Sequence, residues 1–111
     1  MTNTNNTTRA IIEHLNFHGF KVWRNNNNAV YSVKQKTFRK NPTTLLGVPD
    51  IIGYRKSDGK AIFVEVKTGP DKLSPHQINF LDEAERSSCL VFIAKTYDQF
   101  VHDFEDRLKI I

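Results

Sequence analysis

VPDIIGYRKSDGKAIFVEVK, residues 48–67, is the stretch on which the fold turns. Two runs rich in Val, Ile and Phe, residues 48–54 and 60–67, flank Ser57-Asp58-Gly59-Lys60, a strong hairpin signal. They read as antiparallel strands joined by a two-residue Asp58-Gly59 turn in which Ser57 pairs with Lys60. That register sets Asp50 directly opposite Lys67. Glu65, two residues back from Lys67, projects from the same face because side chains alternate with period two, and a diagonal acid pair of this kind lies ~7–8 Å apart between backbones. The other face carries Ile51, Ile62, Val64 and Val66.

Working outward, Thr7 or Thr8 caps a first helix over residues 8–18, with Ile11, Ile12 and Leu15 at helical spacing and Gly19 just past its end. Residues 20–24 form a short strand, stopped by the turn-prone tract Asn25 to Asn28. The basic stretch that follows, up to Pro42, reads as strand plus mobile loop. Past the hairpin, Ser74-Pro75 opens a helix carrying Ile78, Phe80, Leu81 and Ala84. Residues 89–94 make an apolar strand. Phe100, Val101, Phe104, Leu108 and Ile111 then recur at helical spacing behind a Thr96 or Asp98 cap. The order is αβββαβα, and near-continuous apolar strands must be covered on both faces, so the fold class is α/β, with helices flanking a mixed central sheet.

A chain of 111 residues forms one domain, expected over residues 8–111 behind a flexible polar tail, residues 1–7. One cysteine cannot close an internal disulfide. No apolar run approaches the ~20 residues that cross a bilayer, and MTNTNNTT lacks the basic and apolar regions of a signal peptide. Secretory and membrane classes are excluded on this reading, and a reducing cytoplasm is expected.

Charge is unevenly spread. Through Lys67 there are 11 basic and 4 acidic residues, a balance of +7; from Thr68 on there are 5 and 8, a balance of −3. No acid occurs between Glu13 and Asp50, where Lys21, Arg24, Lys34, Lys36, Arg39 and Lys40 accumulate beside Trp23, Tyr31 and Phe38. This is the footprint of a protein that meets a polyanion, with rings available for stacking, although a solvated basic face fits the charges equally well.

Two acids and a lysine at the end of a buried hairpin are costly without partners, and a divalent cation is a compact one. Carboxylate oxygens suit Mg²⁺ or Mn²⁺, which also bind substrate phosphates. Such an ion polarises a phosphodiester and acidifies the attacking water, while Lys67 holds that water or offsets phosphate charge. A salt bridge between Lys67 and either acid is the plainer alternative. His14 and His18 stand four apart without a third ligand, which favours core or helix-end roles. Cys89 reads as a small buried hydrophobe.

Gly47-Val48-Pro49-Asp50, Glu65-Val66-Lys67 and Gln77 together resemble the PD-(D/E)xK nuclease superfamily. The G-V-P-D-I-I-G, E-V-K-T-G and S-P-H-Q-I-N-F-L segments are most similar to its VRR-NUC domains, over about residues 8–97. The resemblance implies a restriction-endonuclease-like αβββαβ core with a C-terminal helix. It implies a metal-dependent DNA endonuclease, related to homodimeric Holliday junction resolvases and acting on a junction or flap, in a cytoplasm that is the host's if the chain is phage-encoded. Asp50 and Glu65 are then metal ligands with the Val66 carbonyl, Lys67 is the catalytic lysine, and Gln77 supports Lys67 or the active-site phosphate. Gln77 also fits a capping box from Ser74. Related resolvases carry an acid where Thr8 stands, and Glu13, ~140° around the helix, is a weak substitute. His76 is a second weak candidate, and Arg24, Lys34, Lys36, Arg39 and Lys40 are the expected phosphate contacts. A non-catalytic DNA-binding module of the same fold and an RNA-directed nuclease are the alternatives.

Overall fold

The computed structural model describes residues 4–25, 30–32, 37–39 and 45–109. Their order is α1 (Thr4–Phe17), β1 (Phe20–Arg24), β2 (Val30–Ser32), β3 (Thr37–Arg39), β4 (Ile51–Arg55), β5 (Ala61–Val66), α2 (Pro75–Arg86), β6 (Leu90–Ala94) and α3 (Tyr97–Lys109). The expected α/β class holds. One addition is the antiparallel pairing of β2 with β3, inside the basic stretch read as strand plus loop.

Helix α1 begins four residues before the expected Thr8, so residues 4–7 belong to a helix and not to a tail. Thr7 and Thr8 are buried with Ile11 and Leu15. Thr8 satisfies its hydroxyl within the helix by donating to the Thr4 carbonyl at 2.8 Å, whereas the Thr7 hydroxyl is buried with no hydrogen-bond partner among the described residues. Hydrophobic period alone therefore marks the start too late. At the other end, the Thr96 hydroxyl takes the Gln99 N–H at 3.1 Å and settles the choice of cap for α3.

The main sheet runs β1-β4-β5-β6, antiparallel except for the parallel β5–β6 pair. One face is the core: Phe20, Val22, Ile62, Val64, Leu90 and Phe92 pack beneath Ile11 and Leu15 of α1 and Phe100 and Phe104 of α3. Helix α2 lies on the opposite face, where Phe80 meets Phe63 edge-on at 5.0 Å and Leu81 and Ala84 are buried. No helix among the described residues is long and apolar enough to cross a membrane.

The β4–β5 turn is wider than expected. Arg55 donates its N–H to the Lys60 carbonyl at 2.8 Å, and Gly59 donates to the Arg55 carbonyl at 2.7 Å, so residues 56–59 form the loop. Asp58 explains the difference. Its carboxylate is gripped by the Arg55 guanidinium at 2.6 and 3.0 Å and accepts the Lys60 N–H at 3.1 Å, fastening a four-residue loop that a two-residue turn could not hold. Ile51 consequently pairs with Val64, and the register is shifted by two residues from the expected one.

Candidate active site

Continuing the observed register by one step places Asp50 across from Glu65, not from Lys67. A shift of two preserves the face, so the acids still share it, but as direct neighbours instead of a diagonal pair. The Asp50 carbonyl accepts the Asn25 N–H at 2.7 Å, which ties the start of β4 to the end of β1. Its Oδ2 accepts the Val66 N–H at 3.0 Å. A residue's N–H and C=O point to the same edge of a strand, so the Val66 carbonyl faces the Asp50 side as well.

Glu65 is 2% exposed. Its Oε1 accepts from Gln77 Nε2 at 3.4 Å, while Oε2 is buried with no hydrogen-bond partner among the described residues. Burial pushes the Glu65 carboxyl up to about 8, and the facing Asp50 carboxylate adds to that; the Lys67 charge pulls the other way. The raised value belongs to Glu65, the acid that lies buried beside Asp50. The donor set fits a hard divalent ion: two carboxylates, one of them with an orphaned oxygen, and a main-chain carbonyl. Among the described residues no cluster of three or more His, Cys, Asp or Glu side chains is present, so protein ligation here stops at two acids.

Lys67 follows β5 and is half-buried, its N–H donating to the Ala94 carbonyl at 2.9 Å. Among the described residues no ion pair joins its ammonium to either acid, which leaves the plainer salt-bridge alternative without support. The following residue is anchored from afar: the Thr68 and Thr4 hydroxyls lie 2.6 Å apart, binding the first turn of α1 to the segment after β5.

Gln77 does two jobs. Its Oε1 accepts the Ser74 N–H at 2.8 Å while the Ser74 hydroxyl accepts the Gln77 N–H at 3.2 Å, completing the capping box, and its Nε2 reaches Glu65. It touches the buried acid, and not Lys67. Sequence reading overlooked Gly47, which positions both halves of the site. Gly47 has φ +79°, and a Cβ there would lie 2.3 Å from the His76 carbonyl oxygen and 2.8 Å from the Gln77 nitrogen. The loop leading to Asp50 therefore rests directly on the first turn of α2. Gly47-Val48-Pro49 in front of the acid was the available signal.

The remaining candidates lie elsewhere. Glu13 is exposed on α1, the helix that packs against the other face, and is not brought to the acids. Thr8 keeps its hydroxyl inside α1. His76 is exposed beside Gln77. His14 stacks on His18 at 4.3 Å between ring centroids, and its Nδ1 lies 3.2 Å from the Tyr97 hydroxyl; burial, then the His18 charge, lower its pKa. Arg24 is exposed, with its guanidinium donating to Asn5 Oδ1 at 3.0 Å. Arg39 pairs with Val30 in the small sheet, and Lys34, Lys36 and Lys40 lie outside the described residues. Cys89 is half-buried, less enclosed than expected.

The family model described as the VRR-NUC domain matches residues 7–97 of the 111-residue chain. No curated protein matches it.

Proposed function

The chain belongs to the VRR-NUC family, a nuclease-type domain of DNA processing, and from that premise we propose that it is a Mg²⁺- or Mn²⁺-dependent endodeoxyribonuclease. The observation that carries this reading is the facing pair Asp50 and Glu65, with Glu65 Oε2 buried and unpartnered. Asp50, Glu65 and the Val66 carbonyl would hold the ion. When bound, it polarises the scissile phosphate and lowers the pKa of the attacking water.

The chain's own groups do the rest. Lys67 supplies a compact positive charge with three donors beside the acids, suited to holding a water in line and offsetting charge on the pentacovalent phosphorus. Gln77 fixes the Glu65 carboxylate through Nε2, so the acid is oriented before DNA arrives. Lys34, Lys36, Arg39 and Lys40, with Arg24, form the phosphate-contacting arm. A duplex or junction needs two cuts, which favours a homodimer with two such sites, and a branched substrate is the finer expectation.

The test is cleavage of labelled duplex, flap, four-way-junction and single-stranded DNA, with an RNA control, in Mg²⁺, Mn²⁺ or EDTA, for wild type and Lys67→Ala. Metal-dependent cutting of DNA that disappears in Lys67→Ala is the expected result. DNA binding by wild type without cutting in any metal overturns the enzyme reading in favour of a binding module, and cutting confined to RNA changes the substrate.

A further inference from the structure

Among the described residues, only half of the sheet face that bears the two acids is covered. Helix α2 packs over β5 and β6, as the Phe63–Phe80 contact shows, and no described helix lies over β1 and β4 on that side. There Trp23 and Tyr54 stand side by side with ring centroids 6.5 Å apart at 73°, 45% and 43% exposed. The ladder fixes their place. Trp23 pairs with Ile52 and Lys21 with Tyr54, so Trp23, Tyr54 and Lys21 project from the same face as Asp50 and Glu65. Trp23, opposite Ile52, is the diagonal neighbour of Asp50, roughly 7–8 Å away between backbones.

Trp23 stands in a basic segment and Tyr54 beside it on β4, and both rings are open to water. Lys21 beside them is exposed, and the chain from Glu13 to Asp50 carries no acid between its ends. That charge selects a polyanion, and the rings offer flat apolar faces of the kind on which unpaired bases stack. Resting on the nuclease reading of Asp50 and Glu65, we propose that Trp23 and Tyr54 form a stacking platform for an unpaired nucleobase next to the phosphate held at the acids. A fully paired duplex keeps its bases inside and cannot use the platform. The protein thereby prefers strands that are single, frayed or splayed at the cutting point.

Trp23 is the only tryptophan in the chain, so its fluorescence reports the contact directly. Full-length Lys67→Ala protein, which does not cut, is titrated in Mg²⁺ with single-stranded oligo-dT and with a blunt duplex of equal phosphate count. Saturable quenching by oligo-dT and little by duplex is expected. Trp23→Ala weakens single-strand binding by about 5- to 150-fold, the measured range for loss of one base–aromatic stack, and leaves duplex binding within about twofold; Trp23→Phe recovers most of the loss. Both rings are exposed, and an unchanged thermal midpoint for the variants keeps a folding defect out of the comparison. Equal quenching by duplex, or equal weakening of both ligands, overturns the platform. So does a Trp23 emission that shifts with protein concentration and ignores DNA, which marks contact with a second copy. Wild type that cuts DNA while Trp23 stays unquenched overturns the platform alone. Quenching by oligo-dT together with a wild type that cuts no DNA in any metal upholds the platform and overturns the nuclease reading.

Discussion

Gln77 grips Glu65 with the nitrogen of its amide, at 3.4 Å, while the oxygen of the same amide closes the first turn of α2 on the Ser74 N–H at 2.8 Å. Helix capping and orientation of the buried acid are thus one structural act. Two substitutions separate them. Ser74→Ala removes the cap alone and lowers stability by about 1 kcal/mol. Gln77→Ala costs a similar amount and also frees Glu65, so cleavage falls roughly tenfold, as for a lost hydrogen bond to a charged group, while Ser74→Ala stays near wild type. Thermal midpoints beside initial cleavage rates check this.

Glu65 gives the metal-free protein a distinct pH profile. The folded chain holds its proton up to about 8, against 4.5 for an unperturbed side chain, chiefly because the group is buried. Its contribution to stability is complete below the unfolded value and drains away as pH rises through the folded one. In EDTA the unfolding midpoint is therefore expected to fall between about pH 5 and pH 8. Mg²⁺ or Mn²⁺ restores it at pH 8 and changes little at pH 5, since cation and proton compete for the same oxygens. Glu65→Gln flattens the pH profile and abolishes the response to the cation. A wild type whose midpoint ignores the cation at pH 8 would contradict the expectation.

Gly47 and Gly59 offer a matched pair, both at φ +79°. A methyl group at Gly59 meets nothing within 4 Å, whereas at Gly47 it strikes the backbone of His76 and Gln77. Gly59→Ala bears only the left-handed backbone penalty, about 1–2 kcal/mol. Gly47→Ala bears that and a displaced α2, so it loses more stability and most of its activity, because Asp50 and Gln77 no longer meet their partners. Chemical denaturation and cleavage assays on the two variants decide the matter.

The basic arm is expected to show itself in salt. Replacing Lys34, Lys36, Arg39 and Lys40 one at a time with Gln lowers the log–log salt slope of DNA affinity by about 1 for each residue that contacts a phosphate. Affinities measured across a salt series give the slopes. Unchanged slopes in all four variants place the phosphate contacts elsewhere.

How far the sequence alone discloses this arrangement depends on the parity of the error. The hairpin was read with a two-residue turn, and Asp58, by bonding Arg55 and Lys60, makes a longer one. Slipping by two keeps every side chain on its face, so Asp50 and Glu65 share a face in either register although a different pair stands opposite. A slip of one would have put the two acids on opposite faces of the sheet. Residues 4–7 read as tail for another reason: they are polar, and the Thr4 hydroxyl meets that of Thr68 only once the fold is formed. The double role of Gln77 was readable because its spacing from Ser74 and its place in the family motif coincide. Gly47 could not be weighed from its letter, since what it excludes belongs to a helix about thirty residues on.

The Thr4–Thr68 hydroxyl contact ties a helix terminus to the exit of β5 across 64 residues of chain. Helix ends ordinarily fray at almost no cost in free energy. Here, fraying the first turn of α1 also unlatches the side chain of the residue after Lys67, so release of Thr68 and opening of that turn become a single event. Anything appended close before Thr4 is, in effect, attached to the moving part of the site, and an affinity handle is better carried beyond α3.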